Sequence, residues 1–143
     1  MAADRLPQPA VSPSPDAEPF WEAARRGELQ LPYCRACAGF FFYPRALCPG
    51  CGVRDLEWRR VSGRARLYSF CIHHKSGLPG FREAVPFVTV LVVLEEGPRM
   101  MSFLTGVDAD PAMIRCEMPL EVTFAELDSG EVLPVFRPAG PSS

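Results

Sequence analysis

The sequence lacks any hydrophobic run long enough to cross a membrane. No stretch of about 18 consecutive apolar residues occurs in the chain. The N-terminal segment MAADRLPQPAVSPSPDAEP contains no apolar core of the kind that a secretion signal needs. We therefore expect a cytoplasmic protein with no membrane partner. Thiols stay reduced in that compartment, which favours a metal site over disulfides.

Positive charge is also scarce. The 143 residues carry a formal net charge of −2, the pI is about 5.7, and Lys75 is the only lysine. A protein that binds nucleic acid through bulk positive charge is therefore not expected. Nucleic-acid binding remains only as the least favoured alternative.

The sequence shows no nucleophile beside a base. The two histidines, His73 and His74, are adjacent, and no serine or cysteine forms a recognisable catalytic pair with them. We therefore expect no catalytic residues and no activity of the chain alone.

What the sequence does contain is a pair of CxxC motifs. Cys34 and Cys37 frame CRAC, and Cys48 and Cys51 frame CPGC, ten residues further on. Two such pairs are typical of four thiolates around one Zn²⁺ ion, although iron fits the same ligands. Since the protein supplies all four ligands, the metal is expected to be structural. A redox dithiol is less consistent with two paired motifs.

The residues around these motifs predict how the site is balanced. Arg35, Arg45 and Arg54 lie beside the cysteines and are expected to offset the −2 charge of a zinc tetrathiolate. Cys71 and Cys116 have no such spacing and are predicted to be buried small apolar residues.

The remaining pattern predicts a mostly β chain in four segments. Residues 1–16 are rich in proline and are expected to be a flexible arm. Residues 17–60 hold a helix, capped by Asp16 and ended by Gly27, and a three-strand zinc ribbon whose second strand is FFFYP. Residues 61–139 hold five strands, which predicts an OB-fold barrel, and residues 140–143 form a tail.

Two basic groups are candidate contacts for a ligand or a partner. One group, at the junction of ribbon and barrel, consists of Arg59, Arg60, Arg64 and Arg66. Their guanidinium groups suit CoA phosphates or carboxylates, although a solvated strand edge is the simpler interpretation. His73, His74, Lys75 and Arg82 lie at the end of the first barrel strand and in the loop after it, which in OB-folds borders the ligand face.

Aromatic residues near the ribbon predict a docking surface for another protein. A three-strand ribbon has little interior and cannot cover aromatics on both of its faces. The candidate anchors are Phe20, Trp21, Phe41 and Tyr43, together with Phe136 on a terminal strand that is expected to be an edge or barrel-closing strand. For Phe20 and Trp21, packing of the helix against the module that follows is the simpler interpretation. Met101, in contrast, is expected to lie in the barrel core.

The chain resembles the acyl-CoA-associated zinc-ribbon and OB-fold family known as domain of unknown function 35. The stretches that carry this resemblance are, in order, PFWEAARRGELQL, CRAC and CPGC, LEWRRVSGRARLYSFCIHH, VPFVTVLVVLEEGPRMMSFLTGVD and MPLEVTFAELDSGEVLPVFRPA. The resemblance covers residues 19–139. It implies a rubredoxin-like zinc ribbon, with the four cysteines matching the zinc ligands one for one.

The same resemblance implies a function. Members are similar to non-catalytic partners of thiolase-like enzymes, including lipid-transfer-protein-type thiolases and retro-aldolases of steroid side-chain degradation, and some are fused to hotdog-fold hydratase subunits. We therefore expect a scaffold that binds such an enzyme and helps to accommodate an acyl-CoA thioester. A stand-alone acyl-CoA or lipid binder, and an accessory half of a hydratase or aldolase, are the alternatives.

Overall fold

The structure, a computed structural model, describes residues 6–140 of the chain. The predicted arm and tail therefore lie partly outside the described residues. None of the helices between residues 6 and 140 has the length and apolar character needed to cross a membrane.

The N-terminal part is a short helix packed on a three-strand sheet. Helix α1 spans Glu18–Arg25 and follows a single 3-10 turn at Pro15–Ala17. Strands β1 (Gln30–Cys34), β2 (Gly39–Phe40) and β3 (Leu56–Arg60) form an antiparallel sheet in the order β2-β1-β3. Gly27 ends the helix with a φ of +77°, as predicted, because glycine adopts the left-handed conformation without steric cost.

The C-terminal part is a closed five-strand barrel, as the sequence predicted. Its strands are β4 (Arg64–His73), β5 (Phe87–Leu94), β6 (Arg99–Leu104), β7 (Pro119–Glu126) and β8 (Val132–Pro138), in the order β4-β5-β6-β8-β7. Only β6 and β8 are parallel, and they pair at Leu104 and Phe136 alone. The pairings of β6 with β8 and of β4 with β7 close the sheet into a barrel.

One apolar core joins the helix, the ribbon and the barrel. Phe20 of α1 and Leu31 of β1 belong to the same buried cluster as Val92 and Phe136 of the barrel. Strand alternation produces this core, because every second residue of a strand points inward. A bulge between Leu67 and Ser69 shifts the register of β4 against β5.

Several local predictions need correction. Ala17 occupies the N-cap of α1, and Asp16 makes no cap. Of FFFYP, only Phe40 belongs to β2. The stretch between β6 and β7 forms turns and no helix.

The described part of the predicted arm is packed onto the barrel. Pro7 is fully buried, and Val11 lies against the core. The N–H of Gln8 donates to the carbonyl of Gly80 at 2.8 Å, and its Oε1 accepts from the N–H of Asp128 at 2.8 Å. The expectation of a flexible arm is therefore wrong for residues 6–14. The segment is held because Pro7 is buried and Gln8 forms hydrogen bonds on the barrel surface.

Candidate metal centre and contact surfaces

The four predicted cysteines meet at one point of the ribbon. Their Sγ atoms all lie within 4.8 Å of one another. Cys34 and Cys51 are 3.6 Å apart, and Cys37 and Cys48 are 3.8 Å apart. A tetrahedron with Zn–S bonds of about 2.3 Å has edges of about 3.8 Å, whereas a disulfide would bring two sulfurs to about 2.05 Å. The donor set therefore fits a tetrahedral metal and excludes disulfides.

Backbone amides already point at these sulfurs. The N–H of Cys37 donates to Cys34 Sγ at 3.3 Å, and the N–H of Gly50 donates to Cys48 Sγ at 3.3 Å. Such donors stabilise thiolates and orient them toward a metal. Cys34 and Cys48 are buried, while Cys37 and Cys51 are exposed, so one side of the cluster faces the core and the other faces solvent.

Without a metal, the thiols differ in pKa. Hydrogen bonds with the thiols of Cys51, Cys48 and Cys34 raise the pKa of Cys37 to about 12. Burial acts to raise the pKa of Cys48, but hydrogen bonds from the amides of Cys51 and Gly50, together with those of the Cys34 and Cys51 thiols, outweigh it and lower that pKa to about 7. A cation in the cluster would favour the thiolate form at all four positions.

The arginines beside the motifs are arranged differently from the prediction. Arg35 forms ion pairs with Asp55 and Glu57, each at 3.1 Å. Its charge is therefore shared with carboxylates and is not reserved for the sulfurs. Arg45 and Arg54 are exposed and make no ion pair with any residue between 6 and 140. Those two remain the candidates for offsetting the charge of the metal centre.

Most of the basic cluster at the ribbon–barrel junction is already paired. Arg59 contacts Glu57 and stacks over the Tyr33 ring at 3.6 Å. Arg64 pairs with Glu95 and Arg66 with Glu117, both at 2.9 Å. Arg60 is exposed without an ion pair among the described residues. The four arginines are thus separate surface groups, and their contact with a ligand or partner stays a prediction.

The two histidines point to different surroundings, as expected for neighbours at a strand end. His73 Nε2 lies 2.9 Å from Thr89 Oγ1, and its ring stacks on Phe87 at 4.6 Å. An open hollow of about 590 Å³ beside it is lined by His74, Lys75, Ser76, Gly77, Arg82 and Val85. The loop therefore brings His74, Lys75 and Arg82 together, while His73 belongs to the barrel wall.

Four of the five predicted docking aromatics are buried inside the chain. The T-shaped pair of Phe20 and Trp21 anchors α1, with ring centroids 5.2 Å apart. Phe41 packs against Cys34 and Cys48 beneath the metal cluster. Phe136 is 0% exposed inside the barrel. Phe41, covered by ribbon residues, and Phe136 are therefore not on the surface. Phe20 and Trp21 pack in the core, as the simpler interpretation expected, and also line a hollow together with Tyr43, which is exposed.

Two large exposed apolar residues lie on the outside of the barrel strands. Met101 is 70% exposed and Tyr68 is 46% exposed. Met100 points into the core, so its neighbour Met101 must point outward on the same strand. Strand parity was thus the signal that could have located Met101. Cys71 and Cys116, predicted to be buried, are also exposed.

A ribbon with four clustered cysteines joined to a closed five-strand barrel defines a zinc-ribbon and OB-fold protein. Residues 21–57 match the family model described as the ChsH2 rubredoxin-like zinc ribbon domain. Residues 58–125 match that of the ChsH2 C-terminal OB-fold domain. A DUF35 domain-containing scaffold protein of Methanothermobacter thermautotrophicus is 33% identical over 100 residues, which is 68% of this chain and 73% of the relative. The chain belongs to the DUF35 family.

Two further proteins extend the comparison. A chain of the solved Ltp2–ChsH2(DUF35) aldolase is 34% identical, with a TM-score of 0.79, over 93% of this chain and 100% of that chain. A probable enoyl-CoA hydratase alpha subunit of Thermomonospora curvata is 35% identical over 136 residues, or 94% of this chain. The present chain spans only 40% of that hydratase subunit.

Proposed function

We propose that this chain is a non-catalytic accessory subunit that binds a thiolase-like enzyme and helps to accommodate its acyl-CoA substrate. The observation that carries the proposal is the match to the whole length of a chain from the Ltp2–ChsH2(DUF35) aldolase at 34% identity. The scaffold relative supports a structural role as well. The intended partner is a lipid-transfer-protein-type thiolase or an aldolase of that kind.

The metal centre supports the scaffold interpretation. Cys34, Cys37, Cys48 and Cys51 would hold one zinc ion with four protein ligands. When bound, the ion supplies a strong cross-link between the two CxxC motifs and has no open coordination position for substrate or water. Each thiolate stays in place through the ribbon backbone, so the site stabilises the fold and takes no part in chemistry.

The proposal also assigns a place for CoA. The hollow formed by His74, Lys75 and Arg82 presents cationic side chains. Lys75 and Arg82 make no ion pair with any residue between 6 and 140, so their charges are available to phosphate oxygens. Arg82 donates to the carbonyl of Gly77 at 3.2 Å, which holds its guanidinium beside the loop.

Co-expression tests this function. The full chain is produced with each thiolase-like protein of its own source, and the complex is isolated through a tag on the chain. We expect one such protein to co-purify and to turn over acyl-CoA only as the complex, while the isolated chain shows no thiolase, aldolase or hydratase activity. Turnover by the isolated chain, or no co-purifying thiolase-like protein, would contradict the proposal.

One observation favours a second candidate. The likeness to a hydratase alpha subunit extends over 94% of this chain, so an accessory half of an enoyl-CoA hydratase is the alternative. In that case a hotdog-fold hydratase protein, and not a thiolase-like one, would co-purify. Hydration of an enoyl-CoA by that pair would decide in its favour.

A further inference from the structure

An apolar surface without carboxylates covers the outside of three neighbouring barrel strands. Leu91 of β5 lies opposite Ser69 on one side and Met101 on the other. In the next outward row, Thr89 lies between Cys71 and Phe103. We call this area the Met101 face, and its residues are Tyr68, Ser69, Cys71, Thr89, Leu91, Met101 and Phe103. None of the outward positions of β4, β5 and β6 within it is acidic.

Two hollows flank Met101 and make the face continuous with the ribbon. One, of about 220 Å³, is lined by Cys71, Thr89, Leu91 and Met101 among others. The other, of about 310 Å³, shares Thr89 and Met101 with it and extends to Phe42 and Tyr43. Met101 is therefore a ridge between two apolar hollows, and Tyr43 forms the far border of the surface.

Cations stand at both ends of the Met101 face. Arg99 lies over the Tyr68 ring at 4.4 Å and has no ion pair among the described residues. Lys75 and Arg82 lie in the loop at the opposite end, with Glu83 as the one carboxylate of that loop. The two ends are separated by six strand residues, or about 20 Å.

We propose that the Met101 face is the surface on which the thiolase-like subunit docks, with an apolar centre on the partner and a carboxylate near Arg99, while Lys75 and Arg82 at the other end remain available to the CoA phosphates. This rests on the proposed function and adds the location of the interface. A two-fold pair of this chain fits poorly, because a symmetric contact would bring cations against cations whichever ends meet. A structured protein with protruding side chains fits the two hollows, which a flat lipid surface would leave unfilled.

The size of the face agrees with such a contact. Three strands about 4.8 Å apart and about 20 Å long present on the order of 200 to 300 Å². That area is the apolar centre of a standard interface, which buries about 800 Å² on each partner. Arg99 and the ribbon border then form the polar rim.

The test compares two exposed methionines in the full chain. Met101→Glu places a charge at the centre of the proposed contact. Met113→Glu is the matched control, since Met113 is 53% exposed in the turn between β6 and β7 and lines neither hollow. Against the thiolase-like protein that co-purifies with the wild-type chain, we expect Met101→Glu to weaken binding by at least ~30-fold and Met113→Glu by less than ~2-fold. Both variants should unfold at the wild-type temperature.

A second measurement needs no substitution. Cys71 lies on the Met101 face and Cys116 lies off it, and both are exposed. A maleimide should label both in the free chain, and only Cys116 in the complex, as read by peptide mass spectrometry. Wild-type affinity of Met101→Glu, with Cys71 still labelled in a complex that does form, would overturn this surface and leave the proposed function intact.

Two other outcomes would also overturn it. One is dimerisation of the free chain that Met101→Glu abolishes, since the face would then bind a second copy. The other is binding of the free chain to vesicles of phosphatidylglycerol and phosphatidylcholine that the same change abolishes. If no thiolase-like protein binds the wild-type chain at all, the proposed function fails and this proposal fails with it.

Discussion

Replacing Phe136 with alanine separates a core role from a docking role. The ring is 0% exposed at the point where β8 closes the barrel. Its residue pairs with Val122 of β7 and with Leu104 of β6, and its carbonyl accepts the N–H of Thr105 at 2.8 Å. The substitution keeps those backbone bonds and removes only the ring, so it leaves a cavity where β6, β7 and β8 meet.

The expected loss follows from burial and cavity formation. Phe→Ala in a core lowers the free energy of unfolding by about 3 to 5 kcal/mol, because the transfer energy of the ring is lost and the neighbours collapse only in part. Whole domains are stable by about 5 to 15 kcal/mol. Phe136→Ala should therefore lower the melting temperature by roughly 10 °C and leave the chain close to the limit of folding.

Urea unfolding followed by far-UV circular dichroism, in buffer that contains zinc, measures this loss. Tyr68→Ala is the control, because Tyr68 is exposed and loses mainly its contact with Arg99, for an expected change below about 1 kcal/mol. A Phe136→Ala protein with wild-type stability that no longer holds its partner would refute the core assignment and restore the original docking interpretation.

Three further changes test other parts of the structure. Cys48→Ser should reduce zinc from near one ion per chain and destabilise the ribbon, whereas Cys71→Ser should keep it; equal zinc in both by elemental analysis would contradict the metal assignment. Gly80→Ala should lower stability by about 1 to 3 kcal/mol and speed hydrogen exchange at the N–H of Gln8. The reason is that Gly80 has a φ of +83° and its Cβ would lie 2.4 Å from the Gln8 carbonyl oxygen, while Gly77→Ala, with open space around it, should change little. Glu57→Gln should remove an acid-sensitive part of the stability. Hydrogen bonds from Arg35 and Arg59 hold the pKa of Glu57 below its ordinary value of 4.5. The stability from this carboxylate is therefore present above the ordinary pKa and is lost as the pH falls through the lowered pKa of the folded state. Stability curves of Glu57→Gln and wild type that stay parallel down to acid pH would contradict it.

The metal centre could be predicted from the sequence because its geometry is local. A CxxC turn brings two sulfurs together whatever the rest of the chain does, and two such turns in a short ribbon leave few ways to arrange four thiolates. The barrel strands were predictable for a related reason, since alternation along β5 and the turns between strands are properties of neighbouring residues.

The partition of apolar side chains between core and surface was not predictable in the same way. Alternation shows that Phe40 and Phe41 point to opposite sides, but it does not say which side another element covers. For Trp21 the sequence left packing and docking both open, because a short helix has little core of its own, and in the structure α1 lies against β8 and β1. Met101 was assigned to the core because it is apolar, although Met100 already filled the inward position. These outcomes depend on tertiary packing.

The shared core gives a structural metal a route to affect assembly. The ribbon and the barrel share one core, because Leu31 and Phe20 pack in the same cluster as Val92. Phe41 lies on Cys34 and Cys48, and Tyr43 follows two residues later at the border of the hollow beside Met101. Release of the metal would free the chain around Phe41 and thereby move that border. On the proposed docking surface, removal of zinc is therefore expected to weaken partner binding through the border that Tyr43 forms.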